Sequence, residues 1–275
     1  GVNIATKLPH WLVSSREDMD RLLGAQLDRL GGAGIDYYLI HALDGPSWER
    51  LRALGVCEFL QRAREDGRIR RAGFSFHGDR AAFKRIVDGW DWDLCQIQYN
   101  FLDEHLQAGR EGLQYAAARG LGVVVMAPLR GGHLAGRVPA SVQAIWDQAP
   151  VQRTAAEWAL RWIWNHPEVT VVLSGMNDAA HLRENLRIAA QAQPNSLSAE
   201  ELALVQRAAE EYRRLMPVGC TGCGYCLPCP AGVDIPTCFE LYNSVHMFGG
   251  RSKARLWYLG RLGGLLGGGT SSYAS

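Results

Sequence analysis

Four cysteines at a strict three-residue step, Cys220, Cys223, Cys226 and Cys229 with Pro230 behind them, are the residues here whose type and spacing speak most directly of chemistry. Thiolates this close let one short loop wrap inorganic iron and sulfide, and Thr221, Gly222, Gly224 and Tyr225 between them keep that loop compact. The spacing points to a 4Fe-4S cluster of the ferredoxin type. Zinc is an alternative, although structural zinc sites usually separate two Cys-x-x-Cys pairs by a longer stretch; an unmetallated or redox-active thiol cluster is a third reading. The bacterial ferredoxin run places three residues before its last cysteine, and here there are two. Spacing therefore leaves open whether Cys229 serves the same cluster as the first three or a second one. Cys57 and Cys95 fall in apolar patterns and read as core residues, while Cys238 is a weak candidate for a spare ligand.

The elements that must position such residues read as alternating strands and helices up to about residue 215. Six β-branched runs, Val2 to Thr6, Asp36 to His41, Arg71 to Ser75, Leu94 to Gln98, Gly122 to Met126 and Val169 to Leu173, are separated by helical patterns, the signature of a parallel sheet with crossover helices. Ser14 or Ser15 ahead of Glu17 and Asp18 predicts a capping box. Met19, Leu22, Leu23, Leu27 and Leu30 predict the apolar stripe of the helix it opens, and Gly31 and Gly32 predict its end. Ser198 with Glu201 opens a later helix, with Leu202, Val205 and Ala209 expected on its inner face. The aromatic stretch from Ala155 through Trp158, Trp162 and Trp164 predicts a tightly buried helix. No Gly-x-Gly-x-x-Gly follows a strand, so an open dinucleotide-binding sheet is disfavoured against a (β/α)8 barrel. Lys7, His41, Ser75, Gln98 and the Pro128 to Gly132 loop then fall at carboxyl strand ends, where barrel enzymes assemble their sites.

Composition is that of a chain able to bury a large core: 275 residues, 47% hydrophobic and 21% charged, with a net charge of +1. Without a long basic run, nucleic acid and membrane surfaces are not expected partners. No stretch approaches the ~20 apolar residues needed to cross a bilayer, and a reduced thiol cluster suits a reducing compartment, so the cytoplasm is expected.

Taken together, the strand ends resemble the aldo-keto reductase family, and the cysteine ladder resembles its bacterial branch with a C-terminal ferredoxin-like appendage. The matching motifs are Ile4-Ala5-Thr6-Lys7, Asp36-Tyr37-Tyr38-Leu39-Ile40-His41, Gly73-Phe74-Ser75, Gln96-Ile97-Gln98-Tyr99-Asn100, Ala127-Pro128-Leu129 with Gly131-Gly132, and Ser174-Gly175-Met176 leading to Glu184-Asn185. The resemblance implies a partial (β/α)8 barrel over residues 1–215, lacking its first two strand-helix units, and an iron-sulfur segment over 216–275. It implies NADP or NAD as cofactor and a small carbonyl or alcohol as substrate, with electrons passing to or from a redox partner protein. Lys7 takes the role of the cation that tunes a catalytic tyrosine, and His41 that of the group orienting the carbonyl; an ammonium beside a phenol favours phenolate. Ser75 and Gln98 would hold the nicotinamide carboxamide, Met126 would pack on its ring, and Leu129, Gly131 and Gly132 would approach the pyrophosphate. Gly175, Met176 and Asn177 would meet the adenosine phosphate, and Glu184 with Asn185 the adenine.

Three departures accompany the resemblance. The family's tyrosine and aspartate belong ahead of the lysine strand, where this sequence has only Gly1 to Asn3, so the chain is expected to be a piece cut at both ends and inactive by itself. Tyr37 and Tyr38 cannot replace the tyrosine, because strand alternation directs them into the core or sheet face. Met126 stands where an aromatic ring is common, and Gly175 and His181 replace basic side chains that grip a 2′-phosphate, which weighs against NADPH. A barrel that has lost catalysis and serves as an electron-transfer or binding module is the alternative reading, and a zinc-stabilised structural appendage is a weaker one.

Overall fold

The computed structural model describes residues 2–32, 34–220, 226–248 and 251–261. Cys223 with its neighbours Thr221, Gly222, Gly224 and Tyr225, and the tail from Leu262 onward, lie outside the described residues. Six strands, β1 (Ala5–Leu8), β2 (Ile35–Leu43), β3 (Ile69–Phe76), β4 (Leu94–Gln98), β5 (Gly122–Met126) and β6 (Val169–Val172), form one sheet in sequence order. Every pairing is parallel. Within these residues β1 pairs with β2 alone and β6 with β5 alone. Helices fill the crossovers: α1 (Arg16–Arg29), α2 (Gly45–Ala53), α3 (Val56–Glu65), α4 (Arg80–Asp88), α5 (Gly109–Ala118), α6 (Ala140–Trp146), α7 (Ala155–Trp164) and, beyond β6, α8 (Ala179–Gln191), α9 (Ala199–Leu215), α10 (Ile235–Phe248) and α11 (Arg251–Arg261). This is an α/β fold of the kind a (β/α)8 barrel is built from.

The strands at 94–98 and 122–126 lie where the sequence places them. The first does not: it was expected at Val2 to Thr6 and runs Ala5–Leu8, with Val2 90% exposed. Its position is set by pairing, since Ala5, Lys7 and Leu8 lie opposite Tyr37, Leu39 and Ile40, and the Asp36 carboxylate accepts the Ile4 N–H at 2.8 Å just before the ladder. Pro9 follows and supplies no ladder N–H. Lys7 therefore lies inside the strand, with only Leu8 after it.

Helix ends follow the polar signals. The Ser15 and Asp18 capping box opens α1 and the Ser198 and Glu201 box opens α9. Gly31 and Gly32, at φ 79° and 77°, terminate α1 in the left-handed conformation that a side chain disfavours. A break at Gly55 (φ 78°) divides the second crossover into α2 and α3, which periodicity had not separated.

The chain divides into two compact units, Gly1–Pro128 with Ile163–Ser196, and Leu129–Trp162 with Leu197–Ser275. The first holds the whole sheet. Its core behind β3 is a wedge of rings, Phe74, Phe76, Phe83, Trp48 and Trp92, with centroids 5.0 Å apart for Phe74 and Trp92 and for Phe76 and Phe83. At the amino ends of its strands Asp93 accepts the Ala72 N–H at 2.8 Å and pairs with Arg71 at 2.8 Å and with Arg64. In the second unit α6 packs on α9, and Trp146 stacks on Trp158 at 5.4 Å and 10°. Leu204, Val205, Ala208, Ala209 and Tyr212 form the inner face of α9, whereas Leu202, expected there, is 37% exposed.

Candidate functional site

Strand alternation and register decide which side chains share a face of the sheet. Lys7 lies opposite Leu39, and His41 is two residues on, so both project from the same face. That face continues through Ser75, level with Gln96, then Gln98, level with Met126. Five residues named from sequence, Lys7, His41, Ser75, Gln98 and Met126, are thus brought to the carboxyl end of one face within the first unit.

The Lys7 side chain is half-buried and makes no hydrogen bond or ion pair among the described residues. Burial alone draws its ammonium below the usual lysine range. Burial also holds the His41 imidazole below its ordinary value, and the Lys7 charge and then His10 push it further the same way. A cation close enough to act on an imidazole, with no carboxylate to compensate, keeps that ring neutral at pH 7. Neutral, it has one N–H to donate.

Three further residues surround this pair that sequence reasoning had not named. Trp11, in the short turn His10–Leu12 after β1, lies against the His41 ring at 5.0 Å and 51° and is 57% exposed. His10 is held by Arg50, whose guanidinium meets its Nδ1 at 3.1 Å and donates to its carbonyl at 2.8 Å. His77, just past β3, is drawn down to about 4, chiefly by burial; a hydrogen-bonding interaction toward the Gln107 amide oxygen opposes this and the neighbouring His41 adds to it. The one signal for His77 was its place two residues after Ser75.

The polar groups meant for a carboxamide are set by local bonds. Ser75 is buried, and its Oγ accepts the Ala42 N–H at 2.7 Å where Ala42 turns to φ 52° and the β2/β3 register shifts. Its hydroxyl proton remains to be given. Gln98 donates through Nε2 to Asp103 at 3.2 Å, which leaves its carbonyl oxygen to accept. Asp103 also accepts from the Asn100 amide at 3.0 Å, and Asn100 donates on to the Ala127 carbonyl at 3.2 Å. One donor and one acceptor on neighbouring strands fit the carbonyl and amino halves of a carboxamide. Gln96 donates to the Met126 sulfur at 3.2 Å, fixing the thioether that was expected against a nicotinamide ring.

The remaining predicted residues lie elsewhere. Gly175, Met176 and Asn177 form the exposed loop between β6 and α8, and a Cβ added at Gly175 would meet nothing within 4 Å. Glu184 is half-buried on α8. Asn185 is buried and donates to Ser174 Oγ at 3.1 Å, tying α8 to the strand it follows. Leu129, Gly131 and Gly132 belong to the second unit, in a turn where Arg130, Gly131 and Gly132 take φ 49°, 67° and 92° in succession. Of the ladder, Cys220 and Cys229 are half-buried and Cys226 is exposed. Among the described residues no three His, Cys, Asp or Glu side chains are grouped to hold a metal. Cys95 is fully buried, its thiol pushed up to about 12, and Cys57 is raised by burial, as core cysteines are.

Known proteins share this fold. An NADH-specific methylglyoxal reductase of Escherichia coli (strain K12) is 27% identical over 225 residues, covering 73% of this chain and 67% of that protein. The aldo-keto reductase AKR11C1 from Bacillus halodurans, in its holo form, superposes with a TM-score of 0.61 at 22% identity, over 75% of this chain and 72% of its own. A thermostable aldo-keto reductase, Tm1743, in complex with the inhibitor epalrestat, superposes with a TM-score of 0.60 at 24% identity, over 75% and 71%. The sequence profile of the Aldo/keto reductase family matches residues 1–210, and the chain belongs to that family of oxidoreductases.

Proposed function

We propose that the protein carrying this chain reduces small carbonyl compounds at the expense of a bound nicotinamide, with Lys7 and His41 at the reacting carbonyl. The observation that carries the reading is the unpaired, half-buried Lys7 ammonium on the same sheet face as a neutral His41. The nicotinamide, when bound, supplies the hydride. His41 donates its N–H to the carbonyl oxygen and fixes its direction. The Lys7 charge stabilises the negative charge that grows on that oxygen and lowers the pKa of the hydroxyl that protonates it. Ser75 and Gln98 hold the carboxamide as donor and acceptor. Met126 packs beside the ring, Leu129, Gly131 and Gly132 keep the pyrophosphate role, Gly175, Met176 and Asn177 the adenosine phosphate role, and Glu184 the adenine role. Asn185 supports that loop through Ser174.

NADH is the preferred form in this reading. Neither lysine nor arginine stands at Gly175 or His181, and the curated relative's name specifies NADH and methylglyoxal. We assign a 4Fe-4S cluster to Cys220, Cys223, Cys226 and Cys229 on their spacing, with 216–275 as the segment that carries it; a partner protein would exchange electrons there. No step above passes through the cluster.

The test is made on the protein expressed from its complete reading frame. NADH should quench tryptophan fluorescence with saturation, and methylglyoxal should then drive loss of the 340 nm band. A protein that binds neither NADH nor NADPH is no reductase. Iron and acid-labile sulfide analysis of anaerobically purified protein decides the cluster separately.

A further inference from the structure

At His41 the strand β2 carries one residue more than the strand it faces. Ile40 lies level with Phe74 and Leu43 with Phe76, so His41 and Ala42 together stand opposite Ser75, and Ala42 turns left-handed at φ 52°. A bulge of this kind re-aims the side chain beside it, and a non-glycine residue holds a left-handed backbone only when its surroundings impose it. On one side the Ala42 N–H is taken by Ser75 Oγ at 2.7 Å. On the other side stands His10. Arg50 Nη2 meets His10 Nδ1 at 3.1 Å, and a guanidinium has only protons to give, so Nδ1 carries the lone pair. Burial and then the Arg50 charge draw the ring below its ordinary value, against the pull of Asp44 and of hydrogen bonds to the Ala42 and His10 backbones, so it is neutral at pH 7 with its proton on Nε2. Because the Ala42 N–H is already committed to Ser75, the bond to Ala42 runs from His10 Nε2–H to the Ala42 carbonyl. Arg50 is itself seated on the carbonyls of His10, at 2.8 Å, and of Val13. The next residue, Trp11, lies edge-on to the His10 ring at 5.5 Å and against the His41 ring at 5.0 Å. His10 thus bears on His41 twice, through the backbone that follows it and through the indole beside it.

We propose that His10 is a positioning residue for carbonyl reduction: fixed by Arg50 in its Nε2–H form, it holds the Ala42 bulge that aims the His41 imidazole at the carbonyl oxygen. The inference rests on the role given to His41 under the proposed function. Without a donor at His10, Ala42 relaxes toward the extended backbone of its neighbours. The ladder on either side, Ile40 with Phe74 and Leu43 with Phe76, is made without that donor, so the strand survives and the direction of His41 changes. A shift of about 1 Å in a group that orients substrate costs up to about 100-fold in rate. Loss of Arg50 acts by the same route, since a proton moved to Nδ1 leaves a lone pair on Nε2 facing the Ala42 carbonyl.

The experiment uses the protein expressed from its complete reading frame, with methylglyoxal and saturating NADH at fixed pH, and NADH titration as the check that each variant has folded. His10→Ala should lower kcat by about 10-fold or more. His10→Gln, whose amide can accept from Arg50 and donate to Ala42, should recover part of the loss. In a His41→Gln background His10→Ala should cost nothing further, because the group it positions is gone, whereas a general loss of stability would act in both backgrounds alike. Nitrogen-15 NMR of the histidine-labelled wild type should show His10 protonated on Nε2, and Arg50→Met should move that proton toward Nδ1. Should His10→Ala fail to fold by circular dichroism, Arg50→Met is read in its place and should lower kcat in the same way. An active wild type whose His10→Ala variant keeps full kcat, a loss undiminished in the His41→Gln background, or His10 protonated on Nδ1 overturns the positioning role alone. A wild type that reduces neither methylglyoxal nor other small aldehydes overturns the proposed function and the role of His10 with it.

Discussion

Lys7 is the residue on which the proposed chemistry turns, and its environment tells what its loss should do. An ammonium that is half-buried and has no carboxylate beside it contributes little to holding the fold, so its charge is free to act on a ligand and on His41. Lys7→Met should lower kcat/KM for methylglyoxal by about 100-fold or more, the usual scale for loss of one charge-stabilising or acid-base group, while leaving the NADH dissociation constant within about 3-fold. Steady-state kinetics beside fluorescence titration separates the two. His77 yields a prediction of another kind. Its folded pKa of about 4 lies below the ordinary value of 6.5, so the unfolded chain binds the proton first as pH falls. Stability linked to His77 is complete above pH 6.5 and is lost as pH falls toward 4. Allowing for its partial exposure, the loss is about 1–2 kcal/mol. Urea unfolding of His77→Asn should show a flatter pH dependence across that window than the wild type.

At the scale of elements, the two ends of the sheet do different work. The amino ends are pinned by Asp93, which joins the Ala72 N–H, Arg71 and Arg64 on the side away from Lys7 and His41. Asp93→Ala should cost about 1.5–3 kcal/mol in urea unfolding, as for loss of charged hydrogen bonds that leaves a partly buried backbone N–H unmet, with no change in the NADH dissociation constant. Much of this layer could be read in advance. Periodicity and caps located β4, β5, the opening of α1 and the opening of α9, because there local pattern and tertiary pairing agree. They misplaced β1, because Val2 and Ile4 look as strand-like as Thr6, and only the partners on β2 decide which residues enter the ladder. They named Leu202 for a core that Leu204 and Val205 fill, since a stripe read at one helical phase fits nearly as well when rotated by two residues. At the site, Lys7, His41, Ser75, Gln98 and Met126 were legible as strand-end residues. Asp103, His77 and His10 were not, because what gives them meaning is a contact: Gln98, His41 and Arg50 respectively.

At the scale of the molecule, a 275-residue chain with a net charge of +1 and an isoelectric point near 7.8 has little self-repulsion to keep copies apart at neutral pH. The described residues contain no helix long and apolar enough to cross a membrane. Light scattering should therefore show more association at pH 7.8 than at pH 6, where the histidines begin to add positive charge, and added salt should narrow the difference.

For these 275 residues expressed by themselves, the kind of association follows from β1 and β6. Each has hydrogen-bonded neighbours on one side only among the described strands, and the two are different sequences, so the margin of one copy meets the opposite margin of the next. Such a union is head-to-tail, and every addition regenerates the acceptor it consumed. Growth of that form has no natural stopping size, and sedimentation should reveal a continuous ladder of species in place of a discrete dimer.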